Sequence, residues 1–373
     1  MRIDQDPRGA VRLRSRARDT ECEQQGQARK TQKGVKALAL LLGFVAQAAW
    51  GASYPLPADG GNMVGAIRVI RLDDARNTLL DIARHYDLGY NEIVAANPGV
   101  SVWLPGAGTR IVVPTEFILP PKPWNGIVIN IPRRRLYYFP APQRGEPRSV
   151  ITFPIGISRP GWSTPLGRTR IIAKFKDPSW IVPKNIQEEH RREGEPRFPS
   201  YFPPGPDNPM GMLAMETGFS EIFIHGTNRP WGVGMRVSHG CLHLYPEDAA
   251  YLFARLRVGT PVRVIDEPFE VGQRAGQLYL SASPPIPEYA AADDFLTRAV
   301  SAVVDFQRGS AVKAGPADWD RLIHVAQAKQ IMPTPISVGA PTQSARLDRI
   351  QETSYRVEPY GLDANDAQVP QGR

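Results

Sequence analysis

The sequence contains little cysteine, little histidine and no long hydrophobic run. Its 373 residues include two Cys and six His, and the longest apolar run covers only residues 37–46. A helix needs about 20 apolar residues to cross a bilayer. Because hydrophobic residues make up 42% of the chain but form no such run, we exclude a polytopic membrane protein.

Excess positive charge is absent from most of the chain. The net charge of +8 depends on residues 1–52, which hold ten Lys/Arg and five Asp/Glu, and the remainder carries only +3. Nucleic-acid binding needs basic side chains clustered on a folded surface. We therefore expect no nucleic-acid partner.

Proline and glycine, by contrast, are plentiful. The chain has 37 Pro and 33 Gly, both of which interrupt regular elements and favour short strands joined by turns. At this length, two or three globular units of about 100–200 residues each are expected. The composition predicts a soluble, mainly-β protein.

Residues 1–52 have the layout of a secretory signal peptide. Lys30, Lys33 and Lys36 precede the apolar run, and small residues follow it at positions 48–52. We expect cleavage near 48–52 and no stable membrane span afterwards, with an uncleaved anchor as the weaker alternative. The exported chain would keep Cys241 alone, so it could form no internal disulfide.

Residues 66–114 alternate between strand and helix patterns. The pattern predicts a strand at 67–70, helices at 77–83 and 92–96, and a strand at 110–113. This order and the Asn97-Pro-Gly turn resemble a LysM module, a small α+β unit, which implies binding to the N-acetylglucosamine chains of cell-wall glycans. The alternative is a small domain that only packs against its neighbour.

Residues 124–266 contain short apolar strands separated by Gly and Pro, and one convincing helix after Tyr245. This pattern predicts a β-sandwich or open barrel that is poor in helix. Within it, residues 133–135 are three consecutive Arg, which we interpret as a solvated hairpin turn. Residues 267–373 form an extension with helices expected at 290–306 and 319–329 and a mobile tail after Met332.

His225 and Cys241 are the candidate catalytic residues of the sequence. They lie 16 positions apart, and the Gly-rich segment between them can bring the two ends together. A thiol with a pKa near 8.5 is a poor nucleophile until a neighbouring imidazole takes its proton. Gly240 admits close backbone approach, so the N–H groups of Gly240 and Cys241 could form an oxyanion hole.

The pattern His225-Gly-Thr-(x)10-Ser-His-Gly-Cys241 resembles the signature of L,D-transpeptidase catalytic domains of the YkuD type. Segments 156–167 and 205–211 resemble two further elements of that family. The resemblance implies that Cys241 is the nucleophile, His225 the base, the Gly226 carbonyl its orienting group and His239 a support for the thiol. It also points to a substrate site formed by Ser238, Thr227, His243, Trp231 and Asn208.

The resemblance further implies a reaction and a compartment. A tetrapeptide stem of peptidoglycan would acylate the Cys thiol, release D-alanine and pass to an amine. The amine would belong to a lysine of an outer-membrane lipoprotein or to a second diaminopimelate. The enzyme would work in the periplasm, need no cofactor or metal, and be sensitive to carbapenems.

One residue departs from the family pattern. His243 stands where the family usually has Arg or Asn. Should its protonated ring bind the substrate carboxylate, activity would rise below about pH 6.5.

Two other function classes use the same residues differently. His225, His239, Cys241 and His243 could form a tetrahedral zinc site of a hydrolase. A non-catalytic glycan-binding protein is the other alternative, and in that case Cys241 would be dispensable.

Overall fold

The computed structural model describes residues 52–142, 144–195, 197–289, 294–310, 314–356 and 358–360. The predicted signal peptide at 1–52 therefore lies, apart from its last residue, outside the described residues. Within the described part of the chain, every helix is too short or too polar to cross a membrane.

The described chain begins with small strands and two short helices: β1 (Ala52–Pro55), β2 (Met63–Gly65), β3 (Arg68–Leu72), α1 (Leu79–His85), α2 (Tyr90–Ala96), β4 (Arg110–Val113) and β5 (Glu116–Ile118). The predicted order strand–helix–helix–strand in residues 66–114 is confirmed. At the start of α1, Asp81 N–H donates to the Thr78 hydroxyl and Thr78 N–H donates to the Asp81 carboxylate. This reciprocal cap fixes where the helix begins.

The central region is built almost entirely of strands. Its elements are β6 (Gly126–Asn130), β7 (Arg135–Phe139), β8 (Ser149–Pro154), β9 (Ile157–Ser158), β10 (Gly167–Lys176), β11 (Trp180–Ile181), α3 (Lys184–Arg192), β12 (Tyr201–Phe202), β13 (Leu213–Thr217), β14 (Phe223–His225), β15 (Arg236–Ser238), β16 (Leu242–His243), α4 (Pro246–Arg255) and β17 (Pro261–Ile265). The predicted helix after Tyr245 is confirmed by α4.

One nine-stranded sheet forms the centre of the protein. Its strand order is β1-β8-β7-β6-β17-β10-β13-β14-β16, and all pairs are antiparallel except β6–β17 and β14–β16. Ala249 and Leu252 of α4 join the inward-facing residues of these strands in one apolar core. The predicted mainly-β class is confirmed.

The region of residues 66–114 shares a core with the central sheet. Leu79 and Ile82 of α1 belong to the same buried cluster as Val128 and Phe139 of the sheet and Tyr355 near the C-terminus. Burying a side chain of this kind contributes about 1.5–3 kcal/mol. Residues 66–114 therefore pack into a core shared with the central sheet and do not form a separate domain on a linker.

A buried ion cluster lies at the junction of these parts. Arg135 Nη2 is 2.5 Å from Glu92 Oε2, Arg133 Nη2 is 3.2 Å from Glu92 Oε1, and Arg133 Nε is 3.3 Å from Glu270 Oε2. Burial alone would raise the pKa of Glu92, but the two guanidinium groups hold it below its usual value. The expected solvated turn at 133–135 is wrong for Arg133 and Arg135, which are buried. Their charges are neutralised by carboxylates distant in sequence.

The C-terminal extension forms a second small α+β layer: β18 (Phe269–Arg274), β19 (Gln277–Ala282), α5 (Phe295–Gly309), α6 (Trp319–Gln327), β20 (Thr334–Pro335), α7 (Gln343–Leu347) and β21 (Glu352–Tyr355). Its hairpin and helices bury their own apolar cluster. Strand β21 pairs in parallel with β3 and completes a three-stranded sheet with β4.

The sequence pattern predicted a mobile tail after Met332, whereas residues 334–356 contain β20, α7 and β21. Apolar side chains explain the difference, since Ile336, Ala340 and Tyr355 are buried against the rest of the protein. Residues 361–373 lie outside the described part.

Candidate active site

Strand pairing brings the two predicted catalytic residues to one edge of the sheet. His225 ends β14, Cys241 immediately precedes β16, and these two strands are parallel neighbours with Ile224 opposite Leu242. The loop between them contains a short 3₁₀ turn at Pro230–Gly232 and strand β15. The structure thus joins residues that are 16 positions apart in sequence.

Gly240 allows the chain to turn sharply before the thiol. Its φ is +122°, and a Cβ at this position would lie 2.9 Å from Ile222 Cδ1. Only glycine adopts such a conformation at low cost. The backbone at Gly240 therefore lies too close to Ile222 for a side chain, in line with the close approach that the sequence predicts at this position.

The His225 imidazole is held by its neighbour's carbonyl. Its Nδ1 lies 2.6 Å from Gly226 O, and the side chain is buried. A carbonyl oxygen only accepts, so Nδ1 carries the proton and Nε2 carries the lone pair. Burial lowers the pKa of His225 to about 4 despite that hydrogen bond. The ring is neutral at pH 7 and able to accept a proton.

The Cys241 thiol is protonated in the resting site. Burial raises its pKa to about 11, the Phe223 N–H opposes this shift, and the Glu221 charge adds to it. The Sγ atom lies 3.6 Å from Glu221 O. At rest, the thiol and the imidazole of these neighbouring segments are therefore both neutral.

His239 is oriented by a residue that the sequence analysis missed. Its Nε2 lies 2.9 Å from Glu189 Oε2 on helix α3, and its ring meets Trp162 edge-on at 4.9 Å. Trp162 Nε1 donates to the same carboxylate at 3.0 Å. Burial lowers the pKa of His239, and Glu189 opposes that shift. A Glu in a segment without recognisable motif offered no sequence signal.

His243 lies beside the base rather than in a charged subsite. Its ring centroid is 4.6 Å from that of His225, and its backbone exchanges two hydrogen bonds with Gly156. Burial, followed by the neighbouring His225 and His239, lowers the pKa of His243 well below its usual value. The direction of this shift opposes the expectation that His243 protonates near pH 6.5, because desolvation and neighbouring imidazoles disfavour the charged ring.

Three of the predicted substrate-binding side chains bond the protein's own backbone. Ser238 Oγ donates to Cys241 O at 2.5 Å, Arg229 N–H donates to Thr227 Oγ1 at 3.0 Å, and Asn208 Nδ2 donates to Pro178 O at 2.7 Å. Each thereby shapes a loop of the site. Trp231 differs, because its side chain is 38% exposed and lines the cleft.

A large cleft opens above Cys241. Its volume is about 1180 Å³. Aromatic side chains line much of it, and charged ones of both signs border it, namely Arg159, Arg229, Arg236, Asp207, Glu216 and Glu221. Such a cleft can hold an extended peptide that carries both amine and carboxylate groups.

The geometry does not favour a metal centre. Among the described residues, no three His, Cys, Asp or Glu side chains are arranged to hold an ion. His225 Nδ1 is occupied by Gly226 O, and His239 Nε2 faces Glu189. The four predicted zinc ligands therefore do not converge on one point.

The region of residues 66–114 touches the loop between the two catalytic elements. Tyr90 N–H donates to Val233 O at 3.0 Å, and a Cβ on Gly234 would lie 2.3 Å from Tyr90 N. Arg134 Nη1 donates to Gly234 O at 2.6 Å. The loop that carries Trp231 is thus fixed from outside the catalytic sheet.

Several known proteins are similar in sequence to this chain. The family model for the YkuD L,D-transpeptidase catalytic domain matches residues 125–264. The probable L,D-transpeptidase YbiS of Escherichia coli strain K12 is 40% identical over 249 residues, which are 66% of this chain and 79% of that protein. The probable L,D-transpeptidase ErfK/SrfK of Salmonella typhimurium is 36% identical over 292 residues, which are 78% of this chain and 92% of that protein.

Among solved structures, the catalytic domain of an E. faecium L,D-transpeptidase aligns with 38% of this chain and 96% of its own length, at 21% identity and a TM-score of 0.28. The family assignment rests on the sequence relatives, of which this chain covers more than two thirds. The chain belongs to the L,D-transpeptidase family of transferases.

Proposed function

We propose that Cys241 forms a thioester with the diaminopimelate residue of a peptidoglycan tetrapeptide stem and releases D-alanine. The observation that carries this proposal is the pairing of β14 with β16, which places Cys241 immediately before the strand next to the one that ends in the oriented His225. Activated thiols of this kind, paired with a base that a third group orients, perform acyl transfer.

His225 acts as base and then as acid. Nε2 takes the thiol proton as Sγ attacks the carbonyl carbon, because a thiol with a pKa of about 11 is not ionised beforehand. The C–N bond to D-alanine then breaks, and the imidazolium returns the proton to the departing amine. An incoming amine attacks the thioester and gives its proton to Nε2; the C–S bond then breaks, and the imidazolium returns that proton to Sγ, which restores the thiol.

The developing oxyanion is stabilised by backbone N–H groups beside the nucleophile. Gly240 N–H already donates to Ser238 Oγ at 3.3 Å, so Cys241 N–H is the donor that we assign to this role. Removing one such donor typically lowers the rate about 10²–10³-fold.

We propose a lysine amine of an outer-membrane lipoprotein as the acceptor. Glu216 and Glu221 border the cleft on the side of Cys241, and their charge would attract an amine. A second diaminopimelate offers the same chemical group. Muropeptide analysis of a deletion strain separates the two: loss of peptide-tagged muropeptides supports the lipoprotein, and loss of third-position cross-links supports diaminopimelate.

We further propose that residues 66–114 are a LysM module that binds glycan strands, and that residues 1–52 direct export to the periplasm. The strand–helix–helix–strand order supports the first point. Trp103 and Leu104, 49% and 78% exposed, offer an apolar surface for sugar rings on the loop before β4.

The test of the thioester is mass spectrometry of the purified protein with a carbapenem, which captures an acylating thiol. We expect one adduct on Cys241 and none on Cys241→Ala. An unmodified wild-type protein, or a Cys241→Ala variant that still transfers stem peptides, would refute the mechanism and favour a glycan-binding protein.

A further inference from the structure

The segment of the C-terminal extension that follows β19 contacts the active-site region. Tyr289 lies between the β18–β19 hairpin and α5, and its hydroxyl contacts the backbone of Thr164 twice. Thr164 N–H donates to this hydroxyl at 2.6 Å, and the hydroxyl donates to Thr164 O at 2.7 Å. The backbone N–H and C=O of Thr164, in the loop before β10, are thus both hydrogen-bonded to one side chain of the extension.

Glu288 holds the same loop at a second point. Its carboxylate accepts from Gly161 N–H at 2.8 Å and forms an ion pair with Arg236 Nη2 at 2.7 Å. Arg236 in turn donates through Nε to Ser158 O at 3.0 Å. Two consecutive residues of the extension therefore bind the loop of residues 159–166 at two points, Gly161 and Thr164.

Thr164 passes this restraint to the nucleophile loop. Its hydroxyl, which is buried, donates to Gly240 O at 2.7 Å. Thr164 Oγ1 also lies 3.1 Å from Ser158 Oγ. Because the Thr164 hydroxyl proton is already donated to Gly240 O, Ser158 is the donor of this second bond. The carbonyl before Cys241 is therefore fixed by a side chain that the extension positions.

A fixed carbonyl also fixes the neighbouring N–H. The Gly240–Cys241 peptide is trans, so its C=O and N–H point in opposite directions. Gly240 has no Cβ to restrict this peptide plane, and its φ of +122° is open to glycine alone. The Thr164 hydroxyl is the group that holds the plane and with it the direction of the Cys241 N–H.

We infer that Tyr289 and Glu288 are positioning residues of the active site, and that the C-terminal extension completes the catalytic loop through Thr164. This inference rests on the proposed function, in which Cys241 is acylated. It assigns to residues 286–289 a role in the reaction rather than only in connecting two layers of the fold.

The test is the rate of carbapenem acylation of the full-length Tyr289→Phe variant, which keeps the ring and loses only the hydroxyl. We expect the acylation rate constant to fall about tenfold, the equivalent of one lost hydrogen bond, with little change in apparent affinity or Tm. Thr164→Val should cause a similar loss. Because both changes release the same peptide, the double variant should lose far less than the product of the two.

The matched control is Tyr279→Phe. Tyr279 is a buried tyrosine of the extension that packs with Met63 and Ile118 rather than with the loop of residues 159–166, so this variant should acylate at the wild-type rate. Tyr289→Phe acylation within twofold of wild type, losses that multiply in the double variant, or losses that follow Tm alone would each overturn the inference. A wild-type protein that forms no adduct would instead refute the proposed function, and the inference with it.

Discussion

Glu92 of α2 and Arg135 of β7 form an ion pair at 2.5 Å in which neither side chain is exposed to solvent. The pair joins the region of residues 66–114 to the catalytic sheet, and Arg133 links it to Glu270 of the extension. Three segments that sequence analysis separates thus meet at one charge cluster.

Breaking this cluster should destabilise the whole protein. Glu92→Gln leaves the buried Arg135 without a carboxylate and Arg133 with Glu270 alone, so we expect a loss of about 3 kcal/mol or more in the free energy of unfolding. Urea unfolding at pH 7 measures it. The control Asp305→Asn breaks an exposed pair with Arg308 and should change stability by less than about 0.5 kcal/mol. Equal effects of the two variants would contradict a structural role for the cluster.

His225 and His239 should differ in their effect on acylation. His225→Ala removes the proton acceptor and should slow the reaction about 10²–10⁴-fold. His239→Gln removes only the group that contacts Glu189 and should cost much less. Stopped-flow acylation by a carbapenem measures both rates.

The control for this pair is His324→Gln on the exposed side of α6, which should leave the rate unchanged. Equal losses at His225 and His239 would contradict the assignment of the base. A stoichiometric metal whose removal abolishes activity would favour the zinc alternative.

The pH profile should be flat near neutrality. His225 must be neutral to act as base, and its pKa of about 4 means that activity is lost as the pH falls through 4, not through 6.5. Between pH 5.5 and 8 we expect the acylation rate to change by less than about 10% through this group. The wild-type protein and His243→Arg should share this plateau. A rise below pH 6.5 would contradict the buried, neutral state of His243.

Glycan binding should be tested by point substitution. Deleting residues 66–114 would remove part of a shared core and the contact of Tyr90 with the catalytic loop, so loss of activity would not report on glycans. We expect Trp103→Ala to weaken sedimentation with purified sacculi several-fold while carbapenem acylation stays unchanged. The control Val258→Ser alters an apolar residue in the loop before β17 that is even more exposed than Trp103 and should sediment normally. Unchanged sedimentation of Trp103→Ala would favour a packing role.

Sequence patterns predicted the elements better than their assembly. Strand and helix positions such as β6, β17 and α4 follow from local alternation and capping, and the catalytic motif follows from the spacing of His225 and Cys241. Local patterns carry no information on which partner a charge finds. The three arginines at 133–135 therefore predicted a solvent-exposed turn, whereas in the fold Glu92 and Glu270 from distant segments neutralise the buried arginines.

The same limit applies within the site. Glu189, Tyr289 and Thr164 act on the catalytic loop through contacts that exist only after folding, and Glu189 and Tyr289 lie outside any motif. Environment also opposes one expectation, because desolvation lowers the pKa of His243, whose residue type suggested a pH sensor.

The pairing of β21 with β3 has a consequence for the timing of folding. Arg71 and Glu352, which join these strands, are 281 positions apart. At about 5–20 residues per second, roughly a quarter of a minute to one minute separates their synthesis. Until the last strand arrives, the edge of β3 is unpaired and can attract other extended chains. The N-terminal three-stranded sheet is thus completed only after β21 has been made.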